Sequence, residues 1–237
     1  MSRWLIAGAA LLVVAAAPGP RRVPGHAAAS TTAVADWTRK ITATPQGGFR
    51  IGNPDAAVKL IEYGSLTCSH CSAFHESGMA ALRSRYIATG RLSYEYRSYV
   101  LNGADFAATL LARCDGSQAF FARADVLYRQ QALWTEPFAR LTPDDLAQNA
   151  SLPAEAQIAG LARAAGLDRF MAAHGMVPAH IRQCLTDQGG QDRIAAIREN
   201  AQSIGVTGTP GFLVNGRYLP QVITWAQLEP ELVRALH

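Results

Sequence analysis

The chain has 237 residues, of which 49% are hydrophobic and 17% are charged. This composition supports one or two domains with their own hydrophobic core, and it excludes a wholly disordered chain. Four cysteines are too few for a small fold that depends on disulfides. Most of the net charge of +4 comes from the first 29 residues, which hold three arginines and no acidic residue. We therefore expect no binding to nucleic acid.

Residues 1–29 have the pattern of an export signal. Arg3 is followed by an uncharged run over residues 4–17 and then by a polar stretch. We expect cleavage after residue 29, where three small alanines precede Ser30. An uncleaved anchor is the alternative, but no apolar run reaches the ~18–20 residues of a membrane-spanning helix. Export would place the mature protein in the periplasm, an oxidising compartment in which disulfides form.

The segments that follow predict strands and a helix. Residues 30–48 are predicted to be a tether that leads into the folded domain. Residues 58–63 (VKLIEY) form a short apolar run typical of a buried strand, and a helix is predicted from Cys68 to about residue 88. Residues 92–101 alternate apolar and polar side chains and are rich in tyrosine, which predicts a second strand.

A long helical region separates these strands from the end of the chain. Between residues 104 and 204, apolar residues recur at helical spacing. Residues 211–219 return to a strand pattern with an Asn-Gly hairpin signal, and a capping box at Thr224 opens a last helix. We therefore expect an α/β fold formed by residues 49–103 and 205–237, with the helical region inserted between them.

Cys68 and Cys71 are separated by two residues, at the point where the first predicted strand gives way to a helix. This spacing lets the two sulfurs close a disulfide ring on the first helical turn. Cys68 lies where unpaired backbone N–H groups and the helix dipole stabilise a thiolate. His70 can add positive charge and a hydrogen-bond donor to the Cys68 sulfur. Both effects favour the reduced thiolate, which makes the oxidised pair an oxidant.

Two other interpretations of this pair are a structural disulfide and half of a zinc site. Zinc would require further ligands, and Cys114 and Cys184 are far from this pair and from each other along the chain. His75 follows Cys71 by four residues and could join a Cys–Cys–His set. The preferred interpretation of His75 is an ordinary residue on the helix surface. We expect neither a bound metal nor a cofactor.

Three segments resemble a known family: residues 52–58 (GNPDAAV), 62–71 (EYGSLTCSHC) and 205–216 (GVTGTPGFLVNG). Together they resemble the exported DsbA-type thiol–disulfide oxidoreductases, over about residues 49–237. The resemblance implies a thioredoxin fold with an inserted all-helical domain.

The resemblance also assigns site residues. It implies that Pro210 is cis and faces the cysteine pair, and that the backbone of Thr209 pairs with the substrate peptide; an ordinary trans proline in a loop is the alternative. Glu62 corresponds to a buried acid beneath Cys71, with which it could exchange protons during thiol release; a glutamate that reaches solvent from a strand end is the alternative. Ser69 departs from the most oxidising relatives, which carry proline there, so the strength of the oxidant stays open.

Cys114 and Cys184 are expected to form a second, structural disulfide between two helices of the insertion, because an exported chain favours such bonds. Some members of the family resemble this chain in having a second bridge. It would close a loop of about 70 residues, for which chain entropy gives at most roughly 4 kcal/mol. Two separately buried thiols are the alternative.

The function implied by the resemblance is a monomeric periplasmic oxidase that introduces disulfides into reduced exported proteins. A membrane quinone-linked oxidase of the DsbB kind would recharge it. A disulfide isomerase or reductase is the first alternative, although exported isomerases of this fold are dimers with a dedicated domain, and only about 20 residues precede the catalytic fold here. The second is a metal chaperone, but copper carriers of this fold usually need a histidine near the position of Pro210, and none lies between His180 and His237.

Overall fold

The computed structural model describes residues 35–237, together with the isolated positions Met1 and Gly19. The predicted export signal over residues 1–29, apart from those two positions, lies outside the described residues, as do residues 30–34 of the predicted tether. Among the helices of residues 35–237, none combines the length and the apolar character needed to cross a membrane.

Six strands of the described range form one sheet, and the same range holds ten α-helices. The strands are β1 (Ile41–Ala43), β2 (Phe49–Gly52), β3 (Val58–Gly64), β4 (Leu92–Ser98), β5 (Gly211–Val214) and β6 (Arg217–Leu219). The helices are α1 (Ser69–Ala81), α2 (Gly103–Arg113), α3 (Gly116–Arg129), α4 (Gln131–Ala139), α5 (Pro143–Ala150), α6 (Ala154–Ala164), α7 (Leu167–Ala173), α8 (Pro178–Leu185), α9 (Gln188–Ser203) and α10 (Trp225–Ala235). A 3-10 helix (Trp37–Arg39) precedes β1, and a π-helix (Leu82–Ile87) continues α1.

Strand β3 lies at the centre of the sheet, whose order is β1-β2-β4-β3-β5-β6. It pairs in parallel with β4 and antiparallel with β5. All of its residues except Lys59 and Ile61 are buried, which explains the nearly continuous apolar run of the sequence. Parallel neighbours need a crossover connection, and α1 supplies it. The end of the central strand therefore leads directly into the helix that carries the cysteine pair.

The structure differs from the predicted tether at residues 41–43, which form the edge strand β1. Strand β1 pairs antiparallel with β2, and Gly47 makes the turn between them with a φ of 81°, which glycine adopts without strain. The sequence pattern missed both strands because runs of three and four residues are too short to display an alternation.

The insertion packs on the sheet and shares its core. Its helices, α2 to α9, follow one another between β4 and β5, close to the predicted range of residues 104–204. Phe120 of α3 packs against Phe49 of β2 and Tyr96 of β4, with ring centroids 4.7 Å and 5.1 Å apart. Aromatic contacts of this kind strengthen a core beyond the area they bury. The helices are therefore held against the sheet on which the cysteine pair depends.

The last two strands and the last helix form where the sequence predicts them. Asn215 and Gly216 both have positive φ, at 49° and 82°, as a two-residue hairpin of type I′ requires. Thr224 and Gln227 form the predicted capping box at the start of α10. The hairpin and the last helix are thus confirmed, and the hairpin sets β5 beside the central strand.

Candidate active site

Cys68 is the N-cap residue of α1, with an extended backbone, and its Sγ accepts a hydrogen bond from the N–H of Cys71 at 3.4 Å. It lies just after the loop that follows β3. The first turn of a helix has N–H groups without partners inside the helix, so a sulfur at this position is surrounded by donors. Both cysteines are present as free thiols in this structure.

Hydrogen bonds lower the pKa of Cys68 to about 5. The strongest comes from the Cys71 side chain, and further bonds come from the Thr209 side chain and from the backbone at Cys71 and His70. Partial burial acts in the opposite direction but is outweighed. Cys68 is therefore a thiolate at neutral pH, and a thiolate is the nucleophilic form of cysteine.

His70 acts through its backbone. Its side chain is exposed, and within residues 35–237 no hydrogen bond joins its ring to the Cys68 sulfur. The predicted donation from the ring is corrected accordingly: the His70 backbone, not its imidazole, helps to lower the Cys68 pKa. The reason is position, since a residue in the first turn presents its N–H to the N-cap side chain.

Cys71 has the opposite properties. It is fully buried, and burial raises its pKa well above the usual range, with further contributions from the hydrogen bond to Cys68 and from the charge of Glu62. The two sulfurs thus differ sharply: Cys68 is half-buried and ionised, whereas Cys71 is enclosed and keeps its proton.

Glu62 lies in β3 and its side chain is completely buried. Tyr94 donates its hydroxyl hydrogen to Oε2 at 2.5 Å, and Nε2 of His75 lies 3.3 Å from the same oxygen. The other oxygen, Oε1, makes no hydrogen bond within the described residues. The predicted burial of Glu62 is confirmed, and the alternative in which it reaches solvent is wrong.

His75 is not the helix-surface residue that the sequence predicted. Its side chain is only 8% exposed, and its ring stacks on Tyr128 at 4.1 Å between centroids. Residues four apart lie on the same face of a helix, so His75 shares the face of Cys71 and reaches Glu62 on the sheet below. The spacing of four residues from Cys71 is the sequence signal for this shared face, but it does not say that the face is buried.

No Cys–Cys–His metal set forms at the active-site pair. Within residues 35–237, three potential metal-ligand atoms come within 4.8 Å of one another only at Cys114, His180 and Cys184. The two sulfurs of that group are engaged in a disulfide.

The loop before β5 lies beside the reactive sulfur. The Thr209–Pro210 peptide bond is cis, and the Cys68 thiol, when protonated, donates to the Thr209 carbonyl at 3.3 Å. The structure therefore brings together four of the predicted site residues, Cys68, Cys71, Thr209 and Pro210, with Glu62 beneath them.

Two residues of the insertion hold the loop that leads to Cys68. Asp105 is fully buried and accepts the N–H groups of Leu66 and Leu101, each at 2.9 Å. Burial raises the Asp105 pKa to about 6, although these hydrogen bonds oppose the shift. Gln131 donates to the carbonyls of Leu66 and Cys68 at 2.8 Å and 3.1 Å. No local pattern marks either residue, because each is far from the cysteines along the chain.

The second pair, Cys114 and Cys184, is joined in a disulfide with a Cα–Cα distance of 5.6 Å, which confirms the predicted bridge. Cys114 follows the last residue of α2, and Cys184 lies in α8. Nε2 of His180 lies 3.7 Å from the Cys114 sulfur and 2.6 Å from Oδ1 of Asp115.

A strand that leads into a helix with a Cys-x-x-Cys N-terminus, faced by a cis-proline loop, defines the class of thiol–disulfide oxidoreductases with a thioredoxin fold. A family model described as "Thioredoxin" matches residues 44–232. The chain belongs to this family. The predicted thioredoxin fold and the resemblance to DsbA-type proteins are confirmed.

Curated relatives are similar over most of this chain. Two of them, named as protein-disulfide oxidoreductases of Rickettsia bellii and Rickettsia typhi, are each 28% identical over 170 residues, or 70% of this chain. The chain spans about half the length of these relatives, at 56% and 54%.

Solved structures share the fold with higher coverage. A protein-disulfide isomerase from Novosphingobium aromaticivorans has a TM-score of 0.74 and 29% identity, over 79% of this chain and 96% of its own. The alpha-DsbA1 of Wolbachia pipientis has a TM-score of 0.64 and 21% identity, over 82% of this chain and 93% of its own. The inserted helices are thus part of an architecture that other proteins share.

Proposed function

We propose that this protein is a dithiol oxidase that introduces disulfide bonds into other proteins. The observation that carries the proposal is the opposite state of its two thiols: Cys68 has a pKa of about 5, whereas the pKa of Cys71 is raised well above its usual range. A stabilised Cys68 thiolate favours the reduced enzyme over the disulfide form. The oxidised enzyme is therefore a strong acceptor of electrons from substrate thiols.

The reaction follows from this asymmetry. A substrate thiolate attacks the sulfur of Cys68 in the oxidised pair, the Cys68–Cys71 bond breaks, and Cys71 leaves and takes up a proton. A second substrate thiol then attacks the mixed disulfide at the substrate sulfur, and Cys68 departs as its stable thiolate. Two electrons have passed from the substrate dithiol to the enzyme.

Thr209 and Pro210 form the proposed contact for the substrate peptide. The Thr209 carbonyl lies within 3.3 Å of the Cys68 sulfur, and Thr209 itself is only partly buried. An extended peptide that binds to backbone groups here would bring its own cysteine to Cys68. Pro210 has no N–H, so it adds no donor of its own next to the sulfurs.

We further propose that the substrates are exported proteins and that the enzyme works as a periplasmic monomer. The pattern of residues 1–29 supports export. Each turnover leaves the enzyme reduced, so a membrane quinone-linked oxidase of the DsbB kind would restore the disulfide.

A disulfide isomerase is the second candidate, because a similar solved structure, at 29% identity, is named as one. Equilibration of the Cys68–Cys71 pair with glutathione separates an oxidase from a reductase of the same fold. A potential less negative than about −180 mV would support the oxidase, and one near the thioredoxin value of about −270 mV would support a reductase instead. Assays with reduced and with scrambled ribonuclease then distinguish formation of disulfides from their rearrangement, with Cys68→Ser as the inactive control.

A further inference from the structure

We propose that His75 conducts the proton of Cys71 between the buried carboxyl of Glu62 and the water of an open groove between α1 and α3. The inference rests on the proposed function, since it concerns the same cysteine pair. It assigns to His75 a role that acts through Glu62 and does not involve contact with the substrate.

Cys71 needs a proton route because it is sealed from solvent. Its exposure is 0%, and the sulfur must gain a proton each time the disulfide opens and lose one each time it closes. Burial and the charge of Glu62 raise the Cys71 pKa, so an isolated Cys71 thiolate would be costly at this position. The nearby carboxyl is the natural acceptor and donor, and its Oε1 has no hydrogen-bond partner among the described residues.

Among the described residues, Glu62 in turn has two polar contacts, both at Oε2, and they are not equivalent. Tyr94 is fully buried, and burial raises its pKa well above the usual range, so it stays protonated and serves as a fixed donor. His75 lies 3.3 Å from the same oxygen. An imidazole can take a proton on one ring nitrogen and release one from the other. Of these two contacts, His75 alone can move a proton onward.

His75 also borders solvent. It lines a groove of about 820 Å³ between α1 and α3. Charged residues of both signs line the same groove, namely Glu76, Arg83, Asp125 and Arg129. Water can therefore occupy it. The ring is held in place by stacking on Tyr128 and by an edge contact with Tyr96 at 6.1 Å between centroids. A fixed ring between a buried carboxyl and a wet groove is the geometry that a proton relay needs.

The titratable groups around His75 come from every element packed against it. Glu62 faces it from β3, Tyr94 and Tyr96 from β4, and Tyr128 from α3. The burial of the three tyrosines raises their pKa values well above the usual range. Around neutral pH the tyrosines therefore do not titrate, and a pH dependence of proton transfer reports on the other groups.

The same proton route serves the opening and the closing of the Cys68–Cys71 disulfide. On opening, the electron pair of the Cys68–Cys71 bond stays on the Cys71 sulfur, which takes a proton from Glu62. Glu62 regains a proton from His75, which takes one from water in the groove. On closure of a mixed disulfide, Cys71 loses its proton by the reverse route and attacks Cys68, and the bonding pair leaves with the departing partner sulfur.

The test is rapid mixing of the protein with glutathione, in both redox directions, across about pH 5 to 8. We expect His75→Gln to open and close the Cys68–Cys71 disulfide about tenfold more slowly and to alter its pH profile, since glutamine keeps a hydrogen bond but cannot transfer a proton. The thiolate absorbance of Cys68 should be unchanged, which shows that the site is folded. His174→Gln, an exposed histidine of the insertion, is the matched control and should behave as the parent protein.

Two further measurements separate a relay from a structural role. Glu62→Gln should remove the effect of His75→Gln in a double-mutant cycle, because both residues serve one path. Added imidazole should restore the rate of His75→Ala, whose shortened side chain leaves space beside the groove, but not that of His75→Phe. Parent-like rates and pH profile in His75→Gln, additive losses in the cycle, or no rescue would each overturn the relay. Failure to oxidise proteins would refute the proposed function alone, because exchange with glutathione still reports on His75.

Discussion

The two cysteine pairs sit at opposite ends of helices. Cys68 is the N-cap of α1, where backbone donors stabilise a thiolate, whereas Cys114 is the C-cap of α2, where the helix dipole opposes negative charge. Cys71, the partner of Cys68, follows it by three residues. Cys184, the partner of Cys114, lies 70 residues further along the chain, in a buried position of α8. We therefore expect a disulfide to be easy to reduce at the first pair and hard to reduce at the second, because the two pairs lie at opposite ends of helices.

Removal of single sulfurs at the active pair should give the largest effect. Cys68→Ser should abolish disulfide exchange, because it removes the sulfur that substrate thiolates attack in the oxidised pair. Cys71→Ser should accumulate mixed disulfides with disulfide-containing client proteins, since the Cys68 thiolate attacks the client disulfide and no Cys71 thiol is left to release the client. Non-reducing gels of protein exposed to a disulfide-containing client would show this, and equal trapping by both variants would contradict the assigned roles.

Thiol counting sharpens the comparison of the two pairs. Oxidised protein should show no free thiol once it is denatured. Protein that has been mildly reduced before denaturation should show only the thiols of Cys68 and Cys71. The double variant Cys114→Ala, Cys184→Ala should lose at most roughly 4 kcal/mol of stability, because the bridge closes a long loop. Its Cys68 pKa should be nearly unchanged. Reduction of both disulfides at the same potential would contradict the predicted difference between the two cysteine pairs.

The stability of the reduced protein should depend on pH through Cys68. Its pKa of about 5 in the folded state lies below the free-thiol value of about 8.5. Between these values the unfolded chain binds the extra proton, so the stabilisation is complete above about pH 8.5 and is lost as the pH falls towards 5. Melting temperatures of the reduced protein against pH would show this, with Cys68→Ser as the control that lacks the Cys68 contribution.

Asp105 should also make the stability depend on pH, but by less than Cys68 does and in the opposite direction. Its pKa is raised to about 6 in the fold, compared with about 3.9 for an unperturbed aspartate, so the folded state binds the extra proton between these values. The stability of the oxidised protein should therefore fall as the pH rises from about 4 to about 6. Asp105→Asn should remove that component from the melting curve, whereas Asp125→Asn, on the groove surface, should retain it. Identical slopes in the two variants would exclude Asp105 as the cause.

Most of the fold could be predicted because its signals are local. The apolar run of β3, the Asn-Gly hairpin and the capping box at Thr224 each lie within a few residues, and each is found in the structure. Strand β1 could not be predicted, since three residues contain no period. The resemblance carried the burial of Glu62, which a lone acid in an apolar run does not establish.

The rest of the site depends on contacts between distant parts of the chain. Asp105 and Gln131 reach the loop before Cys68 from the insertion, at separations of 39 and 65 residues from Leu66. The sequence predicts His75 on the helix surface, because it does not say which helix face meets the sheet. Its spacing of four residues from Cys71 places both on one face, and the structure shows that this face is the buried one.

The pairing of β3 with β5 sets the order in which this protein can be completed. Lys59 bonds to Asn215 across 156 residues, and the Thr209 carbonyl reaches Cys68 across 141. The helices between them make nearby contacts and can form early, whereas the centre of the sheet must wait for β5, which follows all of these helices along the chain. A growing polypeptide therefore carries both cysteines long before it has the surroundings that make one of them reactive, and it acquires its chemistry only after the loop of Thr209 and strand β5 have been made.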